Sequence, residues 1–153
     1  MWSLKNKIVV ISGATNGIGK AATLELAKQG PKLLLIYRNQ ELADSLVAEI
    51  KRVSPDASIE IIYCDFSEQS SIRKCAKEII SSQDKIDVLI NNAGVVNTSY
   101  HETSEGIENT FAVNHLGYFL FTNLLLNKMK GPEESRIINV SSAAHSFVKD
   151  MNW

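Results

Sequence analysis

Short apolar runs alternate with amphipathic stretches along most of this chain. Lys7–Ile11, Lys32–Tyr37, Ser58–Cys64, Ile86–Ile90 and Ser135–Val140 are rich in Ile, Val and Leu, the pattern of strands covered on both faces. Between them apolar positions recur at helical spacing. Gly17–Gln29 places Ile18, Ala21, Ala22 and Leu26 on one face. Gln40–Val53 does so with Leu42, Leu46, Ile50 and Val53, and Glu68–Ser81 with Ile72, Cys75, Ala76, Ile79 and Ile80. Gly30-Pro31 stops the first helix and Pro55 the second. A longer helix is predicted to start from a cap at Thr103 or Ser104 and to reach about Lys130.

This β-α-β-α rhythm predicts an α/β fold, a doubly wound parallel sheet of the Rossmann type. The length fits one domain spanning residues 1–153. No internal repeat, linker or low-complexity tract divides it.

Composition narrows the function classes. Sixteen basic and 17 acidic residues give a net charge of −1, so nucleic acid and anionic membrane are not expected partners. Residues Met1–Lys7 hold no apolar segment of a secretory signal. The apolar stretch from Phe111 to Leu126 is broken by Asn114, His115, Gly117, Thr122 and Asn123. It is short for a bilayer and reads as a buried helix. No membrane segment is visible, and a cytoplasmic location is expected. Cys64 and Cys75 fit no metal-ligand spacing and no disulfide framework. They read as reduced thiols, and no metal site is expected.

The chemistry lies where strands end. The first runs into Ser12-Gly13-Ala14-Thr15-Asn16-Gly17-Ile18-Gly19. Gly13 permits a tight turn, while Gly17 and Gly19 leave room for a phosphate at the helix N-terminus. The spacing is G-x-x-x-G-x-G; Gly17-x-Gly19-x-x-Ala22 is a second frame. A strand–helix turn that merely needs flexible residues would use the same glycines. An ATP-type loop fits poorly, because Lys20 is followed by Ala21 rather than Ser or Thr. The second strand ends at Arg38, a cationic fork suited to a ribose 2′-phosphate or to plain solvation. The third ends at Asp65, which can accept from an adenine amino group or cap the next helix. The fourth ends Asn91-Asn92-Ala93-Gly94, small enough for a ring to approach and with amides that can tie strand ends together.

On these residues the chain resembles the short-chain dehydrogenase/reductase family. Ser12–Gly19 is similar to the family's Thr-Gly-x-x-x-Gly-x-Gly turn, with Ser for Thr. Asn91–Gly94 matches its Asn-Asn-Ala-Gly segment, and Asn114 falls where the family carries a helix Asn. Ile138–Ser142 resembles the strand that bears its catalytic serine, here aligned with Ser142. The phrases around Asn114–Thr122 and Asn139–His145 look most like the retinol-dehydrogenase-like branch. The resemblance implies an oxidoreductase that passes hydride between a nicotinamide cofactor and a carbonyl or alcohol. NADP(H) is the preferred cofactor on the strength of Arg38, with NAD(H) as the lesser one. It implies catalytic roles for Ser142 and Asn114. It implies cofactor contacts at Ser12, Gly13, Thr15, Asn16, Gly17, Ile18, Gly19, Arg38, Asp65, Phe66, Asn91, Ala93 and Gly94. His115 and His145 have no place in that proton path, and His101 is uninformative.

One family feature is absent from this sequence. The general acid/base is a Tyr-x-x-x-Lys pair, in which lysine lowers the tyrosine pKa. The residues four beyond Tyr37, Tyr63, Tyr100 and Tyr118 are Glu41, Ser67, Ser104 and Thr122. The chain is therefore expected to be a C-terminally truncated form, lacking the catalytic helix and the last strands. It would have an open edge at its fifth strand, an incomplete homo-oligomer interface and no activity alone. The alternative is a non-catalytic dinucleotide-binding module or pseudo-enzyme partner.

Overall fold

The computed structural model describes residues 2–129 and 134–147, His145 by its backbone alone. The elements are β1 (Ile8–Ser12), α1 (Gly17–Ala27), β2 (Lys32–Tyr37), α2 (Gln40–Val53), β3 (Ser58–Tyr63), α3 (Gln69–Ser82) and β4 (Val88–Asn91). A short α4 (Asn109–Phe111), a π-helical turn (Ala112–Leu116), α5 (Gly117–Met129), β5 (Arg136–Asn139) and a 3-10 turn (Ala143–Phe147) follow.

The strands form one parallel sheet in the order β3-β2-β1-β4-β5. Strand side chains alternate between faces, so each buried strand feeds two cores. Val10, Leu34, Ile36 and Leu89 meet Ile72, Ile79, Phe121 and Leu125 of α3 and α5. Val9, Ile11, Leu33 and Leu35 meet Ala27, Leu46 and Ile50 of α1 and α2. The helices thus cover both faces, as a doubly wound sheet requires. The chain reverses its strand order between β1 and β4, where ligands of this architecture bind at the carboxyl ends.

At the opposite end of the sheet Asp87 is buried and accepts the Ile8 N–H at 2.8 Å. Lys7 and Lys85 lie 3.4 and 3.1 Å from its carboxylate. Burial opposes ionisation, but the Ile8 N–H and the two ammonium groups outweigh it and hold the carboxyl below its usual range.

The expected long helix is corrected. It begins at Asn109, not at Thr103 or Ser104, because Glu108 accepts the Thr110 and Phe111 N–H groups at 2.8 and 2.7 Å. Those bonds also lower the Glu108 pKa. The Thr103 hydroxyl instead accepts from Glu105 and Ile107 and closes a turn around Gly106, whose φ is +73°. The helix widens into the π-turn before α5. Its expected end at Lys130 lies outside the described residues. Strand β5 pairs with β4 alone among the described residues, and Ile137 and Ile138 are 41% and 45% exposed.

Candidate functional site

A cavity of about 580 Å³ opens over the carboxyl ends of the strands, within the range of small-molecule and cofactor sites. Its walls include Gly13, Thr15, Asn16, Gly17, Ile18, Gly19, Arg38, Asp65, Phe66, Ala93 and Gly94, all expected from the sequence. Ile36, Tyr37, Asn39, Leu42, Cys64, Asn92, Val95, Val113 and Val140 also line it.

The glycine turn is shaped by close backbone approach. Gly13 has φ +64°, and a Cβ there would stand 2.7 Å from the Ala93 Cα. A Cβ on Gly19 would collide with the Gly13 carbonyl oxygen and the Asn92 side chain amide. Asn92 Nδ2 occupies that space because it donates to the Ser12 and Gly13 carbonyls at 3.1 and 3.0 Å. The turn is thereby tied to the end of β4. Asn16, the N-cap of α1, makes no side-chain cap bond, and the first turn carries no acidic residue. The N–H groups and positive dipole end of α1 are therefore suited to an anion.

Two expected cofactor residues lie off the cavity wall. Ser12 is fully buried. Its hydroxyl donates to Ile90 O at 3.4 Å and accepts the Asn92 and Ala93 N–H groups at 2.9 and 3.0 Å. Asn91 is also fully buried and donates to Thr122 Oγ1 and Asn139 Oδ1 at 2.9 and 2.8 Å. Ser12 thus ties β1 to the end of β4, and Asn91 ties β4 to β5 and α5.

Arg38 and Asp65 stand together at the cavity, 3.9 Å apart, with the Arg38 side chain 62% exposed. Asp65 Oδ1 accepts from the Ser67 N–H and hydroxyl at 2.9 and 2.7 Å. It closes the turn ahead of α3, whose N-cap is Glu68. Of the two readings left open for Asp65, a helix cap is the one the geometry removes.

Asn114 and Ser142 do not line the cavity. The π-turn presents the Asn114 amide to Val95, donating to its carbonyl at 2.8 Å and accepting its N–H at 2.9 Å. The Ser142 hydroxyl accepts the Ala144 N–H at 3.2 Å, opening the 3-10 turn. His115 stacks on Phe111 with ring centroids 5.1 Å apart. Cys64 and Cys75 are buried free thiols; their mutual hydrogen bond and burial push the Cys75 thiol up and keep it protonated. Among the described residues no group of three His, Cys, Asp or Glu could hold a metal, and no helix is long and apolar enough to cross a membrane.

The signal for Asn92 is its amide, which can tie strand ends together and here bonds two carbonyls. The apolar wall from Val95, Val113 and Val140 had none, because three distant segments build it.

The sequence profile described as short chain dehydrogenase matches residues 7–151. The chain belongs to the short-chain dehydrogenase family. Human retinol dehydrogenase 13 is 40% identical over 155 residues, a match covering 99% of this chain and 47% of that protein. Human retinol dehydrogenase 11 is 42% identical, covering 93% and 45%. The chain thus spans about half the length of these curated relatives. Among solved structures, a metagenomic short-chain oxidoreductase in complex with NADP is 28% identical with a TM-score of 0.80, covering 92% of this chain and 64% of that one. For this family member, the glycine turn from Gly13 to Gly19 and the Asn92–Gly94 segment are the places where the family pattern and the cavity coincide.

Proposed function

We propose that this chain is the dinucleotide-binding domain of an NADP(H)-dependent oxidoreductase acting on a carbonyl or alcohol. One observation carries the reading: a cradle at the α1 N-terminus whose floor excludes a Cβ, with the Arg38 guanidinium at the same cavity. Its donor set fits a dinucleotide phosphate. Bound NADP(H) would supply hydride chemistry at its nicotinamide ring. The backbone N–H groups at the start of α1 bind the pyrophosphate, and the Arg38 fork binds the 2′-phosphate. Asp65, already held by Ser67, accepts from the adenine amino group. Phe66 and the valines at positions 95, 113 and 140 keep water from the apolar part of the cavity. Ser142 orients the substrate oxygen, and Asn114 supports the proton relay. A titratable proton donor of the family type is not encoded among these 153 residues, so the chain alone is expected to bind cofactor without turning it over. We place it in the cytoplasm, with a small carbonyl or alcohol as the partner of the whole enzyme.

Cofactor choice tests the reading. In calorimetric titrations NADPH is expected to bind more tightly than NADH. Arg38→Asp should remove the preference, a change of about tenfold for one charge-assisted pair. Equal affinities for both cofactors in the wild-type chain would overturn the assignment to NADP(H).

A further inference from the structure

The wall of the cavity at Asn92–Val95 has no regular secondary structure, yet five of its backbone groups are bonded to side chains. Asn92 and Ala93 N–H go to the Ser12 hydroxyl. Both polar groups of Val95 go to Asn114. The Ala93 carbonyl is taken by the Tyr118 hydroxyl. Tyr118 sits at the start of α5, partly buried, and packs edge-on against Phe66 with centroids 6.2 Å apart. Phe66 is itself on the cavity wall and lies against Gly117, where a Cβ would stand 2.9 Å from its ring. One side chain therefore touches two segments of the wall without lining the cavity itself.

We infer that Tyr118 is a positioning residue for the dinucleotide: its hydroxyl fixes the Ala93 carbonyl and thereby the Ala93–Val95 wall against which the ligand's nicotinamide half is laid. The inference rests on the proposed binding of NADP(H). The assignment of a half follows from the cavity's layout. Arg38 and Asp65 mark its adenosine end, whereas Val95 follows β4, whose last residue Asn91 accepts the N–H of Val140 at 2.9 Å, two residues before Ser142. Burial pushes the Tyr118 pKa up to about 12, so the hydroxyl remains a donor throughout the working range.

Tyr118→Phe keeps the ring and its contact with Phe66 and leaves one carbonyl without its donor. The probes are NADPH and adenosine 2′,5′-bisphosphate, which reaches only the adenosine end. Calorimetry on the full chain is expected to show NADPH binding weakened about tenfold, on the scale of a lost buried hydrogen bond. Binding of the bisphosphate should change by less than about twofold, a split that general loosening of the fold does not produce. The fluorescence of bound NADPH, which reports the surroundings of its reduced ring, should shift toward that of free NADPH. Wild-type affinity for NADPH in the variant, or equal weakening of both ligands, overturns the inference while leaving NADP(H) binding intact. Wild-type chain that binds neither ligand overturns both. If the variant does not melt cooperatively, amide exchange on the wild-type chain decides. Gly94 and Val95 are expected to gain protection with NADPH and not with the bisphosphate; no gain, or the same gain with both, overturns it.

Discussion

Strands β1 and β5 carry the same kind of side chain in opposite surroundings. Val9, Val10 and Ile11 are fully buried, with β2 and β4 on either side and helices over both faces. Ile137 and Ile138 stand nearly half exposed on a strand paired with β4 alone among the described residues. An apolar run states what a strand brings to a sheet; its energetic contribution depends on the layers that meet it. The cavity divides in the same way. The end proposed for adenosine lies beyond β2 and β3, where the Arg38–Asp65 pair stands. Ser142 sits beyond β5, exposed, in a local turn.

The sharpest way to break this comparison is to truncate matched side chains. Ile11→Ala removes a fully buried side chain and is expected to cost about 2–5 kcal/mol in denaturant unfolding. A smaller loss tests the central strands electrostatically. Asp87→Asn should cost about 1.5–3 kcal/mol at neutral pH, because hydrogen bonds to a charged group are removed. The sign with pH follows from the lowered pKa of Asp87. Its stabilisation is complete above the unfolded value near pH ~4 and is lost as pH falls through the lower folded value. Urea titrations at neutral and acid pH should therefore converge for wild type and Asp87→Asn as pH drops.

Gly19→Ala probes the cradle. Displacing the Gly13 carbonyl or Asn92 should destabilise the chain by about 1–3 kcal/mol and abolish measurable NADPH binding while far-UV circular dichroism stays unchanged. The smallest effect belongs to the outer strand. Ile138→Ala is expected to cost less than about 1 kcal/mol, because Ile138 is 45% exposed and removes little apolar area from water. Equal losses at Ile11 and Ile138 would remove the distinction between the two strands.

Much of this was legible in the sequence where a local rule decides. The apolar runs located all five strands to within two residues; in β1, β2 and β4 burial on both faces leaves no alternation to misread. Gly13, Gly17 and Gly19 marked the turn because few other residues accept its backbone. The rule failed where two local signals competed. Thr103 looks like a helix cap, but Gly106 lets its hydroxyl close a turn instead, and Glu108 takes the cap. Ser12 and Asn91 end β1 and β4, and their buried side chains bond neighbouring elements that the sequence spacing does not announce. The grip of Tyr118 on Ala93 spans 25 positions, and no spacing announces it.

The central claim is that NADP(H) lies across the glycine turn at the β1–β4 crossing. Amide chemical shifts of the labelled chain, titrated with NADPH, test it residue by residue. The largest changes are expected at Gly13–Gly19, Arg38, Asp65 and Ala93–Val95, with α3 beyond Ile72 and the Asp87 corner unmoved. Shifts confined to β5 or to the outer face of α5, or no saturable shifts at all, would contradict it.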